Sequence, residues 1–392
     1  MLDQKLARFL VLPELNLIKV NRGSKAHIYD CTKDKTSEYC PRCGLESRTT
    51  YDHRIVNVRD EPVRRSSCVL RVRKRRLYCK ACRKPFTEPI NGVLKGHRTT
   101  QRFRRALTWG CTQMRSLKAV KAYYNCSNSL IYQAVFSQLE LKVREYQTPW
   151  PKVIGIDEHF FTRRKGYREF FTVFTDLKGH RVREAVFGRA KQDVLSKVQH
   201  IQGRENVEWV VQDLSETYRS ITKELFPNAQ RIADKFHVLR LLSPALRRRR
   251  IDITGDRRTL RIKRLLQKNR HRLHYHEKQD VDRWLENYPE LNTIYRMKER
   301  LHEFYRNTHY DRACASFNRI INELKMTTIP ELQTLRITLE KWRTEILNYF
   351  KRRYTNAMTE GFNRIASLVK NLGFGYRNEN NYRLRFLTAC AS

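Results

Sequence analysis

The chain has 392 residues, and 80 lysines and arginines against 40 aspartates and glutamates leave a formal charge of +40. With 40% hydrophobic and 11% aromatic residues it reads as a folded protein of two or three domains, which excludes a disordered chain. So large a charge attracts polyanions, nucleic acid first; no apolar run reaches the roughly 18 residues of a membrane span and no signal peptide opens the chain, so a cytoplasmic protein without a membrane partner is expected.

Residues 1–30 read as an N-terminal arm, a short helix followed by a strand. A zinc-binding β module is expected over 31–96. Its signal is two knuckles, Cys40-Pro-Arg-Cys43-Gly44 and Cys79-Lys-Ala-Cys82, with 35 residues (44–78) between the inner cysteines. Each knuckle presents two thiolates from one tight turn. Cys40, Cys43, Cys79 and Cys82 together suit a closed tetrahedral Zn²⁺ site, structural because no coordination position stays open. A redox pair is the alternative, and the second knuckle argues against it. Cys31, Cys68, Cys111, Cys126, Cys314 and Cys390 read as small buried hydrophobes, since disulfides are rare inside cells. Between the knuckles, residues 51–78 read as β hairpins. Val69, Leu70, Val72 and Leu77 can pack there while Arg71, Arg73, Lys74, Arg75 and Arg76 face a phosphate backbone.

Residues 97–147 read as a helix-turn-helix DNA-binding domain. Thr100 to Gln113 forms one helix, Ser116 caps a second that runs to Tyr124, and Asn125 to Asn128 makes a tight turn. A third helix from Ser129 to Leu139 would enter a DNA groove with Ser129 and Tyr132 among its contacts. An ordinary helical hairpin is the alternative. Thr148-Pro-Trp-Pro151 then forms a stiff linker.

From 148 to 392 the pattern is strand, strand, strand, helix, strand, helix, strand. The strands are Val153–Phe160, Arg168–Thr175, Arg181–Phe187, Val207–Asp213 and Gln230–Asp234, with helices at Gln192–Ile201 and Thr217–Leu225. Three hairpin-linked strands followed by alternating helix and strand match a ribonuclease-H-like α/β sheet. In that layout the first and fourth strands are neighbours, which sets Asp157 and Asp213 side by side at one rim. Strand alternation puts Val153, Gly155 and Asp157 on one face. A helical insertion is expected at about 240–350. Its run Arg247, Arg248, Arg249 and Arg250 is suited to DNA, although such a run also reads as a solvated face. The last helix carries Asn356, Glu360 and Asn363 at i, i+4 and i+7, one stripe on which the two amides can orient Glu360.

Each acid alone has a plain reading. Asp157 suits a strand-terminating turn, Glu360 a solvated helix surface, and Asp213 the capping box Asp213-Leu-Ser-Glu216, with Ser215 as the other cap. Gathered at one sheet edge, the three carboxylates would suit two Mg²⁺ ions, with Mn²⁺ able to substitute, for in-line displacement at a phosphodiester.

The motifs carry a resemblance as well. Ile154-Gly-Ile-Asp157-Glu, Asp213-Leu-Ser-x-x-Tyr218, Phe226-Pro-Asn-Ala229, Asp234-Lys-Phe-His-Val238, Glu360-Gly-Phe-Asn363, Gly373-Phe-Gly-Tyr-Arg-Asn378 and Tyr382-Arg-Leu-Arg385 follow one another in order, behind the cysteine module with its Arg-Arg-Leu-Tyr-Cys79. Almost end to end, this resembles the ISL3 family of insertion-sequence transposases, within the DDE class. One departure is Ala366-Ser367, where the family usually has a lysine; here Lys370 follows slightly later. The resemblance implies Asp157, Asp213 and Glu360 as the catalytic, Mg²⁺-binding acids. The family also has a helical insertion between its second and third acid, here the 146 residues 214–359. Asp234-x-x-His237 resembles a Cys/Asp-x-x-His motif of several transposase groups and is expected to support the site or position DNA. The function implied is a prokaryotic, nucleoid-associated DNA transposase. It would bind double-stranded DNA at the terminal inverted repeats and at the target, cleave and transfer strands, and work as a homodimer or larger synaptic complex. A non-enzymatic DNA-binding regulator derived from a transposase is the alternative; an RNA-binding protein is a second, with no RRM-type aromatic signature to favour it.

Overall fold

A computed structural model describes residues 10–24, 26–113, 116–146, 148–255, 261–373 and 376–391. The start of the N-terminal arm, and Phe374 and Gly375 of the Gly373–Asn378 signature, lie outside the described residues. The chain divides into two compact units, residues 1–145 with 372–375, and residues 146–371 with 376–392.

In the first unit, β1 (Leu15–Arg22) and β2 (Ala26–Lys33) form an antiparallel pair. A two-stranded ribbon follows, β3 (Glu38–Tyr39) with β4 (Glu46–Ser47). The hairpins expected over 51–78 are one long hairpin, β5 (Thr50–Val63) and β6 (Ser66–Cys79), turned through Arg64 and Arg65 at φ 50° and 68°. Positive φ at both central residues gives the turn the twist of its strands. β6 also pairs in parallel with β2 and antiparallel with β7 (Lys84–Thr87), so the sheet runs β1-β2-β6-β5 with β7 beside β6. Leu70 and Val72 of β6 are fully buried, packed with Tyr29, Cys31 and Val58. Three helices follow, α1 (Gln101–Gln113), α2 (Leu117–Tyr124) and α3 (Asn128–Glu145). Ser116 caps α2 by accepting from the Ala119 N–H at 3.2 Å, and Asn125 ends it at φ 47°. Asparagine tolerates this left-handed conformation better than most residues.

The second unit is built on a five-stranded sheet of order β10-β9-β8-β11-β12. β8 (Val153–Arg164), β9 (Tyr167–Asp176) and β10 (Arg181–Phe187) are antiparallel; β11 (Trp209–Gln212) runs parallel to β8, and β12 (Gln230–Ala233) parallel to β11. Two helices, α4 (Lys191–Val198) and α5 (Glu216–Leu225), cover one face. Their Val194, Leu195, Val198, Ile221 and Leu225 pack on Ile154, Ile156, Phe174 and Val210. The other face carries Val153, Val211 and Ile232, which join a core of helical residues. Those helices are α6 (Lys235–Leu239), α7 (Ser243–Thr254), α8 (Arg261–Gln267), α9 (Tyr275–Glu286), α10 (Pro289–Phe304), α11 (Tyr310–Lys325), α12 (Pro330–Lys341) and α13 (Arg343–Arg352). The chain closes with α14 (Ala357–Leu372) and α15 (Glu379–Ala389).

Candidate active site

The rim is set by register. Trp209, Val210 and Val211 of β11 pair with Val153, Ile154 and Gly155 of β8, and Gln212 pairs with Ala233 of β12. Carried two residues further, the register sets Asp213 against Asp157. Carried one residue further on the other side, it sets Asp234 against Asp213, and the Asp234 N–H donates to Gln212 O at 2.7 Å. Three aspartates thus stand side by side on three adjacent parallel strands, Asp213 and Asp234 just past the ends of β11 and β12 and Asp157 within the longer β8, at the edge where open α/β sheets bind ligands.

Helix α14 meets this edge through amides. Asn356 Nδ2 donates to Ile156 O at 2.8 Å, and the Asn356 N–H donates to Asp234 Oδ1 at 3.0 Å. Asn363 Nδ2 donates to Asp157 Oδ2 at 3.0 Å and to Glu158 O at 3.4 Å. The approach is close because Gly155 has no side chain. A Cβ there would stand 2.5 Å from Asn356 Oδ1 and 2.6 Å from Thr359 Oγ1. Sequence reasoning placed Gly155 on the Asp157 face but missed this role; a glycine inside a strand was the available signal.

Burial sets the electrostatics. It pushes the carboxyls of Asp157 and Asp213 up to about 6, with neighbouring acids adding to the rise and His237 opposing it. Of the two caps the sequence offers, Ser215 is the one used: its Oγ accepts from the Tyr218 N–H at 3.4 Å and caps α5, which leaves the Asp213 side chain out of that role. Asp213 Oδ1 and Asn363 Oδ1 are buried without a hydrogen-bond partner among the described residues. Asp234 is committed within the protein. It caps α6, accepting from the Phe236 N–H at 3.2 Å, and lies 3.1 Å from His237 Nδ1. That contact raises the pKa of His237.

Glu360 lies between Asn356 and Asn363 on their stripe, but its side chain is half exposed and ion-pairs with Arg364 at 3.7 Å. Among the described residues, the one group of three or more Cys, His, Asp or Glu ligand atoms within 4.8 Å of one another is the cysteine set. Asp157, Asp213, Asp234 and His237 therefore share a rim, and Glu360 is not drawn into a tight cluster with them. Hard, unpartnered oxygens at Asp213 and Asn363, beside an Asp157 carboxylate whose oxygens accept from the Glu158 N–H at 2.8 Å and from Asn363 Nδ2, fit a divalent cation.

Cys40, Cys43, Cys79 and Cys82 converge. Cys40 Sγ is 4.0 Å from Cys82 Sγ, and Cys43 Sγ is 3.6 Å from Cys79 Sγ. A tetrahedron with Zn–S bonds of ~2.3 Å has edges of about 3.8 Å, so the set fits structural zinc. Gly44, at φ 74°, turns the first knuckle, and its N–H donates to Cys40 O at 2.9 Å. The N–H groups of Arg42 and Cys43 hold the Cys40 thiol down to about 6.

The expected DNA contacts fare unevenly. On β6, Arg71 pairs with Asp30, Arg75 with Glu88 and Arg76 with Asp52, and Lys74 is partly buried; Arg73 is exposed. Ser129 and Tyr132 are exposed on α3, Tyr132 stacked on Phe136. Arg247 and Arg248 are exposed on α7, whereas Arg249 pairs with Glu290 and Glu331, and Arg250 is buried. Among the described residues, no helix is long and apolar enough to cross a membrane.

Comparisons with known proteins match both parts of the chain. A family model described as a transposase, of the ISL3 group, matches residues 154–386. A second, described as the zinc-finger of transposase IS204/IS1001/IS1096/IS1165, matches residues 37–82. The transposase for insertion sequence element IS1001 of Bordetella parapertussis is 25% identical over 368 residues, 89% of this chain and 88% of that protein.

Proposed function

From the premise that the chain belongs to the ISL3 family of transposases, we propose that it binds the terminal inverted repeats of its own insertion sequence and catalyses metal-dependent cleavage and strand transfer of DNA. The observation that carries this reading is the row Asp157, Asp213, Asp234 side by side across three adjacent parallel strands, with the carboxyls of Asp157 and Asp213 pushed up to about 6. Sheet order β10-β9-β8-β11-β12 supports a ribonuclease-H-like catalytic domain over 148–392, interrupted by a helical insertion at about 240–350.

Asp157 and Asp213 would hold Mg²⁺, and Glu360 would complete the set of catalytic acids by turning away from Arg364. Bound Mg²⁺ supplies charge stabilisation to the attacking and leaving oxygens of an in-line displacement. The chain's own residues prepare for that. Asn363 holds Asp157 in place, Asn356 ties α14 to the sheet and to Asp234, and Asp234 orients His237. Three carboxylates brought together repel one another until a cation arrives, which is consistent with Glu360 lying outward beside an arginine. The zinc module over 31–96, with Arg73, and a helix-turn-helix over 97–147, with Ser129 and Tyr132 on its second helix, would read the DNA ends. The turn at Asn125 supports the latter, with Ser116 capping the helix before it and Ser127 Oγ accepting from the Leu130 N–H at 3.2 Å at the start of the helix after it. Synapsis of two ends implies a homodimer or larger assembly.

The test is a cleavage assay on duplex DNA carrying the element's terminal repeats, with Mg²⁺ or Mn²⁺. Metal-dependent nicking at the repeat boundary is expected. Binding of the repeats without cleavage under either metal would leave a DNA-binding regulator instead.

A further inference from the structure

The insertion holds a basic groove that no run of the sequence announces. Where α10 gives way to α11, a cavity of about 430 Å³ is lined by Arg300, Arg306, Arg312, Ser316, Arg319 and Glu323, with few apolar atoms. Arg312, Ser316, Arg319 and Glu323 lie at i, i+4, i+7 and i+11 of α11, one stripe of the helix. The adjoining face, with Ala313, Phe317, Ile320 and Leu324, is buried in the core, and Ile320 forms the floor shared with the cavity. Charge balance within the groove is uneven. Its two glutamates are both taken by one arginine, Arg300 pairing with Glu323 at 2.9 Å and Glu303 at 3.6 Å. Arg306, Arg312 and Arg319 are exposed and, among the described residues, have no ion pair or side-chain hydrogen-bond partner.

We propose that this groove is a phosphate-backbone site for duplex DNA within the insertion, separate from the catalytic rim. The proposal rests on the reading that DNA is the substrate. Three unpaired guanidiniums around a polar cavity are the donor set that phosphate recognition uses, since each presents planar, forked N–H groups to phosphate oxygens. Arg312 and Arg319 stand about 10.5 Å apart along the helix axis, the rise of about three nucleotides on one strand. The Ser316 hydroxyl and the Asn307 and Thr308 side chains add neutral donors in the same groove. Directed at phosphate oxygens, these groups would position DNA and leave sequence choice to other surfaces.

The experiment is a salt series of fluorescence anisotropy on the full chain, with one duplex carrying the element's terminal repeat and one unrelated duplex. The R306Q/R312Q/R319Q variant is compared with wild type and with D157N. All three replaced side chains are exposed, so the variant should keep the wild-type melting temperature. The plot of log affinity against log salt should become shallower by about 2.7, ~0.9 for each lost phosphate contact. That change should appear on both duplexes, with the preference between them unchanged, while D157N keeps the wild-type slope. A triple variant with the wild-type slope, where wild type binds both duplexes, overturns the groove and leaves the proposed function standing. If wild type binds neither duplex, both fall. If wild type binds but never cleaves, the groove stands on its slope while the catalytic reading fails.

Discussion

Two carboxyls at the rim are in surroundings that disfavour their charged form. Burial lifts Asp157 and Asp213 from 3.8 to about 6, so the folded chain holds their protons more tightly than the unfolded chain does. Without a divalent cation, each acid therefore imposes a stability cost that is absent below 3.8, grows through the window, and is complete above about 6. The metal-free melting temperature of wild type should fall across that window relative to D157N/D213N, which lacks the titration. Added Mg²⁺ should raise the wild-type melting temperature above the window and much less below it, because protons compete for the same oxygens. Equal pH slopes for the two proteins would contradict the burial argument. A second residue-scale outcome concerns Gly155. Gly155→Ala forces a methyl against Asn356 and Thr359, which should lower stability by about 1–3 kcal/mol, measured by urea unfolding, and reduce cleavage with it. Asp157 and Asp213 were legible as candidates because each closes a short apolar run, Val153–Ile156 and Val207–Gln212. Two choices among readings the sequence offers were not: Ser215 over Asp213 as cap, and the outward pairing of Glu360 with Arg364. Both depend on side-chain rotamers, which residue spacing does not fix.

At the level of elements, β6 and α14 each link distant parts of their unit. β6 begins in the core beside β2 and β5 and ends at Cys79, so the sheet delivers one knuckle to the other. Removing zinc with a chelator, or replacing Cys43 by Ser, should release about one zinc per chain and open residues 37–82 to proteolysis. Persistent protection of that segment after verified zinc loss would show that the sheet alone holds it. For α14, Asn356→Ala deletes the bond to Ile156 O and should cost about 1–3 kcal/mol, with a loss of cleavage larger than the loss of stability accounts for. Strand and helix order was readable because apolar runs, caps and turns punctuate this chain clearly. Lengths were less so. β8 continues past Phe160 to Arg164, because the break comes at Lys165 and Gly166, both at positive φ. The basic strand at 69–78 suggested an open phosphate-facing surface. The structure instead uses Arg71, Arg75 and Arg76 to pair with Asp30, Glu88 and Asp52, residues 13 to 41 positions away.

For the whole molecule, the net charge of +40 indicates a polyanionic partner without saying where it binds. The most obvious basic run, 247–250, keeps two exposed arginines, since Arg249 is ion-paired and Arg250 is buried. The groove at Arg306, Arg312 and Arg319 was illegible because helix geometry assembles it from residues spread over 14 positions. Charge counts therefore indicate a class of partner and not its binding surface.

The central claim is that Asp157, Asp213 and Glu360 act together on DNA. The most direct measurement is Mg²⁺-dependent nicking of a terminal-repeat duplex by wild type, D157N, D213N and E360Q, with repeat binding followed in the same samples. Each variant should bind the repeat as wild type does and lose nicking by about 10²–10³-fold, as expected when a group stabilising the transition state is removed. Nicking at the wild-type rate by any one of the three would remove that acid from the site, and nicking by all three would refute the account.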